Sequence, residues 1–111
     1  MALVHITPEN FEAEVMKSNV LVLVDFWAPW CSPCLMMGPV FEEFSNSEEY
    51  VGKLKFAKLN TEDHPELAGQ FGIQGIPTLL FVKGGAEADR IVGFAPKDLL
   101  KSKIDTAIEK L

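Results

Sequence analysis

The sequence predicts an α/β domain built on a mixed sheet, and three observations carry that prediction. Strand-like and helix-like segments alternate along the chain. Residues 20–27 are an almost unbroken apolar run, and the chain closes with a hairpin and an amphipathic helix. Its 111 residues suit one domain, 1–111, and an apolar content of 48%, including eight Phe, supplies a core without staples.

In chain order, residues 3–6 read as a short strand. Thr7-Pro8 then opens a helix, a capping hydroxyl followed by proline at the first helical position, with Phe11, Val15 and Met16 on its buried side. The run 20–27 is a central strand covered on both faces. Residues 28–33 form a loop, and a helix follows over 31–44, kinked by Pro39. Its core stripe is Val40, Phe41 and Phe44, with Met37 beside them, and Leu35 falls on its exposed side. Residues 54–60 are a further strand and 64–71 a short helix. Strands 78–83 and 90–94 form a hairpin across Gly84-Gly85. Residues 96–110 make the closing helix, with Leu99, Leu100, Ile104 and Ile108 on one side. Glu42, Glu43, Glu48 and Glu49 read as a solvated face of the second helix.

A net charge of -6 and a pI near 4.8, with no Lys/Arg cluster, argue against nucleic acid as a partner. No apolar stretch approaches the ~18 residues of a membrane span, and the first residues carry no secretory-leader pattern. The expected compartment is the cytoplasm, where structural disulfides are uncommon.

The cysteines are Cys31 and Cys34, at a junction from strand through loop into helix. Three chemistries use such a pair. A metal site normally takes four ligands, and His5 and His64 lie far off in sequence, so no metal is expected. A structural disulfide closing so short a loop contributes only roughly 2 kcal/mol. Redox exchange fits best. A free thiol is only about 3% ionised at neutral pH. A helix N-terminus beneath Cys31 favours its thiolate by ~0.3–2 kcal/mol, up to roughly tenfold in thiolate fraction. Pro33 shapes the turn and leaves Cys34 one turn further in, which predicts an exposed attacker and a shielded resolver.

The segment Trp27-Ala28-Pro29-Trp30-Cys31-Ser32-Pro33-Cys34 resembles the active-site segment of the thioredoxin family. Gly75-Ile76-Pro77-Thr78 is similar to its cis-proline loop, Val92-Gly93 to its substrate groove, Asp25 to its buried aspartate and Lys58 to that aspartate's partner. The resemblance runs over residues 4–108. It implies the thioredoxin fold, a mixed five-stranded sheet flanked by four helices. It also implies protein-disulfide reduction in which Cys31 attacks and Cys34 resolves. No cofactor is implied. The implied partners are disulfide-containing client proteins and a separate thioredoxin reductase as electron donor, with the chain a monomer. Substrate contact falls to Trp30, Ile76, Pro77 and Gly93. A specialised oxidant or isomerase of the same fold, or a non-catalytic binding module, are the rivals.

Asp25 interrupts a core strand, and burying an ionised carboxylate is expensive unless it is paired or protonated. It either exchanges a proton with Cys34 or is satisfied by backbone donors at a strand end. X-Pro bonds are cis in only about 5–6% of cases, so cis Pro77 is an implication of the resemblance alone. Two residues depart from the family pattern: Ser32 stands where glycine is usual, and Leu35 where lysine is frequent. They leave residues 26–41 without a charged side chain. The Ser32 hydroxyl is expected to donate to the Cys31 sulfur. Leu35 is expected either to join Trp30, Ile76 and Pro77 in an uncharged docking rim or to tuck against the domain and pack.

Overall fold

Strand β2 (Leu21–Trp27) occupies the middle of the sheet because five consecutive residues of it, Val22–Phe26, are buried and both of its edges are paired. In the computed structural model, which describes residues 3–111, the strands run in the order β1-β3-β2-β4-β5. The absence of a leader was an expectation that also involves Met1 and Ala2, which lie outside the described residues. β1 (Leu3–His5) and β2 flank β3 (Leu54–Asn60) in parallel. β4 (Thr78–Lys83) runs antiparallel to β2, and β5 (Ala86–Val92) antiparallel to β4. The helices are a π-wound segment (Glu12–Met16), α1 (Ser32–Ser45), α2 (Pro65–Gln70) and α3 (Lys97–Lys110). This is the expected mixed five-stranded sheet flanked by four helices.

Strand alternation sorts the core into two layers. Leu23, Phe56, Leu79 and Phe81 face α1 and α3, which contribute Met37, Phe41, Phe44, Leu100 and Ile104. Val22, Val24, Phe26, Leu59 and Leu80 face the other way, against Phe11, Val15 and Leu67. Phe41 meets Phe56 edge to face at 5.2 Å between centroids, an arrangement that adds about 0.5–1.5 kcal/mol to the burial itself. No helix among the described residues is long and apolar enough to cross a membrane.

Four expectations are corrected. The first helix is regular only from Glu12. Residues 7–10 instead make a reciprocal turn: the Asn10 N–H donates to Thr7 Oγ1 at 3.3 Å, and the Thr7 N–H to Asn10 Oδ1 at 2.8 Å. β5 begins at Ala86 rather than residue 90, and ends before Gly93. Its first three residues are exposed on a sheet edge and carry no apolar signal. Leu99 is 49% exposed, since Leu100, Ile104 and Ala107 form the stripe that faces the sheet. Glu48 and Glu49 lie in a separate 3-10 turn (Glu48–Tyr50), and the acidic group is not merely solvated. Lys97 pairs with Glu43 at 2.6 Å and Lys101 with Glu49 at 2.7 Å, tying α3 to the α1 layer. As expected, Pro39 lies inside α1, where it has no N–H to offer the Leu35 carbonyl.

The hairpin closes with Lys83 opposite Ala86, so Gly84 and Gly85 are its two turn residues, at φ +59° and +82°. Such turns match the twist of the strands they join. A Cβ at Gly84 meets open space, whereas one at Gly85 comes within 3.1 Å of the Met16 carbonyl oxygen. Gly84→Asn should therefore change stability by less than about 0.5 kcal/mol. Gly85→Ala should lose about 1–2 kcal/mol from backbone strain, and more from the displaced carbonyl. Guanidinium unfolding checks this, and equal midpoints for the two variants would contradict it.

Candidate active site

The C-terminal end of β2 runs straight into the site. After Trp27 the chain turns through Ala28-Pro29-Trp30, closed by the Cys31 N–H donating to the Ala28 carbonyl at 3.1 Å. Cys31 is the N-cap of α1, and Pro33 sits in its first turn. The Cys34 N–H donates to Cys31 Sγ at 3.3 Å. That places a backbone donor, and the N-terminus of a fourteen-residue helix with no acidic side chain in its first turn, at the sulfur. Cys31 and Cys34 are joined as a disulfide with Cα atoms 5.3 Å apart.

Two expectations change here. Ser32 is exposed, and the donor to the Cys31 sulfur is the Cys34 amide instead of the Ser32 hydroxyl. The accessibility contrast between the cysteines is also small: Cys31 is 5% exposed and Cys34 2%. Trp27 and Ile76 pack against the pair.

Asp25 lies in β2 two residues beyond Leu23, so alternation puts it on the face covered by α1. It is 1% exposed, and neither carboxylate oxygen has a hydrogen-bond partner. The reading in which backbone donors satisfy it therefore does not hold. Burial pushes its pKa up from 3.8 to about 7, against the opposing pull of the Lys58 ammonium. Lys58 is its register partner on β3. The Lys58 Nζ stands 4.6 Å from the centre of the Trp27 ring, a cation–π contact, and among the described residues it forms no ion pair with Asp25. Lys58 borders a cleft of about 260 Å³ lined also by Trp27, Cys34, Leu35, Gly38, Pro39 and Glu42.

On the open side, the Ile76–Pro77 bond is cis. Cys31 Sγ lies 3.9 Å from the Ile76 carbonyl oxygen. The Gly93 N–H donates to the Pro77 carbonyl at 2.8 Å, and Gly93 has φ +92°, a conformation that favours glycine. Trp30 is 67% exposed, and its indole N–H donates to Glu62 at 3.1 Å. Leu35 is 52% exposed, so it does not tuck into the core. Cys31, Trp30, Ile76, Pro77 and Gly93 thus come from three separate stretches of chain, with Ile76 against the Cys31 sulfur and Gly93 bonded to Pro77. Exposed Met36 and Phe94 extend this apolar surface and had not been singled out. Their only signal was proximity in sequence to Cys34 and Gly93. His5 and His64, far apart in the chain, share a second cleft with Lys58 and Trp27.

The comparisons agree with this geometry. A family model described as Thioredoxin matches residues 2–106. The chain is 49% identical over 102 residues to a thioredoxin from Chlorobaculum thiosulfatiphilum, covering 92% of this chain and 93% of that one. It is 46% identical over 104 residues to thioredoxin 1 of a Nostoc species, covering 94% and 95%. To the chloroplastic thioredoxin M5 of Oryza sativa subsp. japonica it is 45% identical over 97 residues, 87% of this chain and 55% of that one.

The Asp25 carboxyl makes stability depend on pH with a definite sign. Below about pH 4 the group is protonated both folded and unfolded, and costs nothing. Between 4 and 7 the unfolded chain releases the proton while the folded one retains it, so stability falls as pH rises. The full loss, reached above about pH 7, is on the order of 4 kcal/mol. Asp25→Asn should flatten this slope and be the more stable protein at pH 8. Unfolding of the oxidised proteins at pH 5 and pH 8 measures it, and parallel slopes would rule the account out.

Proposed function

The chain belongs to the thioredoxin family, and from that premise we propose how its residues divide the work of protein-disulfide reduction. Dithiol–disulfide exchange at Cys31 and Cys34 is the activity. In the reduced protein the Cys31 thiolate attacks one sulfur of a client disulfide and the other leaves as a thiolate. The Cys34 thiolate then attacks Cys31 Sγ, expelling the second client thiol and closing the disulfide. Two electrons pass to the client. They are restored by a separate thioredoxin reductase, and no bound cofactor is required because the two thiols hold the electrons.

The observation that carries this reading is the position of Cys31 at the N-cap of α1, with the Cys34 amide aimed at its sulfur. Both favour negative charge on Cys31 and give Cys34 nothing comparable. Asp25, on the same side of the sheet as α1, is the base that takes the Cys34 proton and returns it. A carboxyl titrating at about 7 is matched to that task. Lys58 keeps its ionised form accessible. Trp30, Ile76, Pro77 and Gly93 form the platform for an extended client segment, with Ser32 and Pro33 as the turn. A monomer in the cytoplasm, which keeps thiols reduced, suits this role.

Cys34→Ser should accumulate mixed disulfides with insulin or with cell-extract proteins, and Cys31→Ser almost none. Non-reducing electrophoresis reads the result, and equal trapping would reverse or remove the assignment. Client choice should follow the uncharged rim. Leu35→Lys should alter stability by less than about 0.5 kcal/mol, since the site is exposed. It should accelerate reaction with acidic clients roughly threefold at low salt, and the gain should fade as salt screens the charge. A rate indifferent to ionic strength would exclude a role for this position in client selection.

A further inference from the structure

Gly38 is buried in the interior of α1, where glycine is destabilising relative to alanine. Its backbone is ordinary right-handed helix, so no positive φ calls for it. Outside its own helix, one atom bears on the position: a Cβ there would stand 3.4 Å from the Lys58 Nζ. The same ammonium stands 4.6 Å from the centre of the Trp27 ring. Lys58 thus meets both the bare face of α1 and an aromatic face, and is the register partner of Asp25.

We propose that Gly38 is a positioning residue that seats the Lys58 ammonium between α1 and Trp27, where its charge is felt by the buried Asp25. The inference rests on Asp25 and Lys58 acting as read above. A methyl group at position 38 would press on the ammonium at 3.4 Å and move it outward in the cleft. Attraction to the Asp25 carboxylate then weakens, because Coulomb energy falls with separation. Lys58, from β3, is the charge that acts on Asp25, while Cys34 from α1 and Glu42 line the cleft that Lys58 borders. On β4 the register partner of Asp25 is Leu79, which carries no charge.

The proline that follows offers a competing reason for the glycine, since a Cβ before proline is crowded by the ring. The two reasons separate experimentally. The carboxyl carbon of Asp25 is followed by NMR against pH in the oxidised protein, where the closed disulfide removes Cys34 from the titration and no turnover is needed. Gly38→Ala should raise the Asp25 midpoint by about half a pH unit, about a threefold change in proton affinity. In a Lys58→Met background the same substitution should move it by less than about a tenth of a unit. A Pro39→Ala background, which relieves the crowding, should retain the half-unit shift. An unmoved midpoint in Gly38→Ala overturns the proposal, as does an equal shift with and without Lys58. Loss of the shift in the Pro39→Ala background also overturns it and assigns the glycine to the proline. Mixed-disulfide trapping by Cys34→Ser is independent of all three outcomes.

Discussion

The packing of α1 across the sheet is the constraint on which the rest of the molecule depends. Met37, Phe41 and Phe44 hold the helix against Leu23 and Phe56. Because the loop 28–31 is only four residues long, that packing brings the helix N-terminus back to the end of β2. Three consequences follow at once. Cys31 becomes the N-cap, Cys34 turns inward, and Asp25 is sealed from water. A helix shifted by one turn would leave the cysteines without the dipole and the aspartate without its desolvation.

Sealing Asp25 is costly, and the fold offsets the cost elsewhere. An unpartnered carboxyl opposes folding at neutral pH, while the aromatic contacts of the Phe41–Phe56 and Phe44–Tyr50 layer favour it. The same exclusion of water that weakens the fold raises the Asp25 pKa to about 7, as its proposed role as a base requires. Lys58 moderates the effect without forming a close pair. A direct pair would return the carboxyl to the range where it no longer exchanges protons at working pH.

Charge is distributed with the same economy. Residues 26–41 carry none, and the acidic excess lies elsewhere in the chain. Much of it is paired there: Glu43 and Glu49 hold α3 through Lys97 and Lys101, and Asp105 accepts from Tyr50 at 2.6 Å. Around Cys31 the surface is apolar, with Trp30, Leu35 and Phe94 open to solvent. Folding does not explain this exposure, which the proposed client platform would use.

Most of the architecture was legible in the chain. Apolar run length identified β2, the strand bounds 54–60 and 78–83 match the structure residue for residue, and the cysteine spacing at a strand–helix junction pointed to redox chemistry. These features are local, written in the period of side chains along one element. The edge strand β5 and the exposed Leu99 were misread because burial depends on which neighbour covers a residue, and periodicity alone does not name the neighbour. The donor to the Cys31 sulfur, the missing partners of Asp25 and the fit of Gly38 against Lys58 belong to the same class. The sequence by itself determined the elements and the reactive pair. Only tertiary packing decided how much water reaches Asp25, how little separates the two cysteines in exposure, and where the Lys58 charge rests. Desolvation and Coulomb attraction depend on distances across the fold, which no single segment encodes.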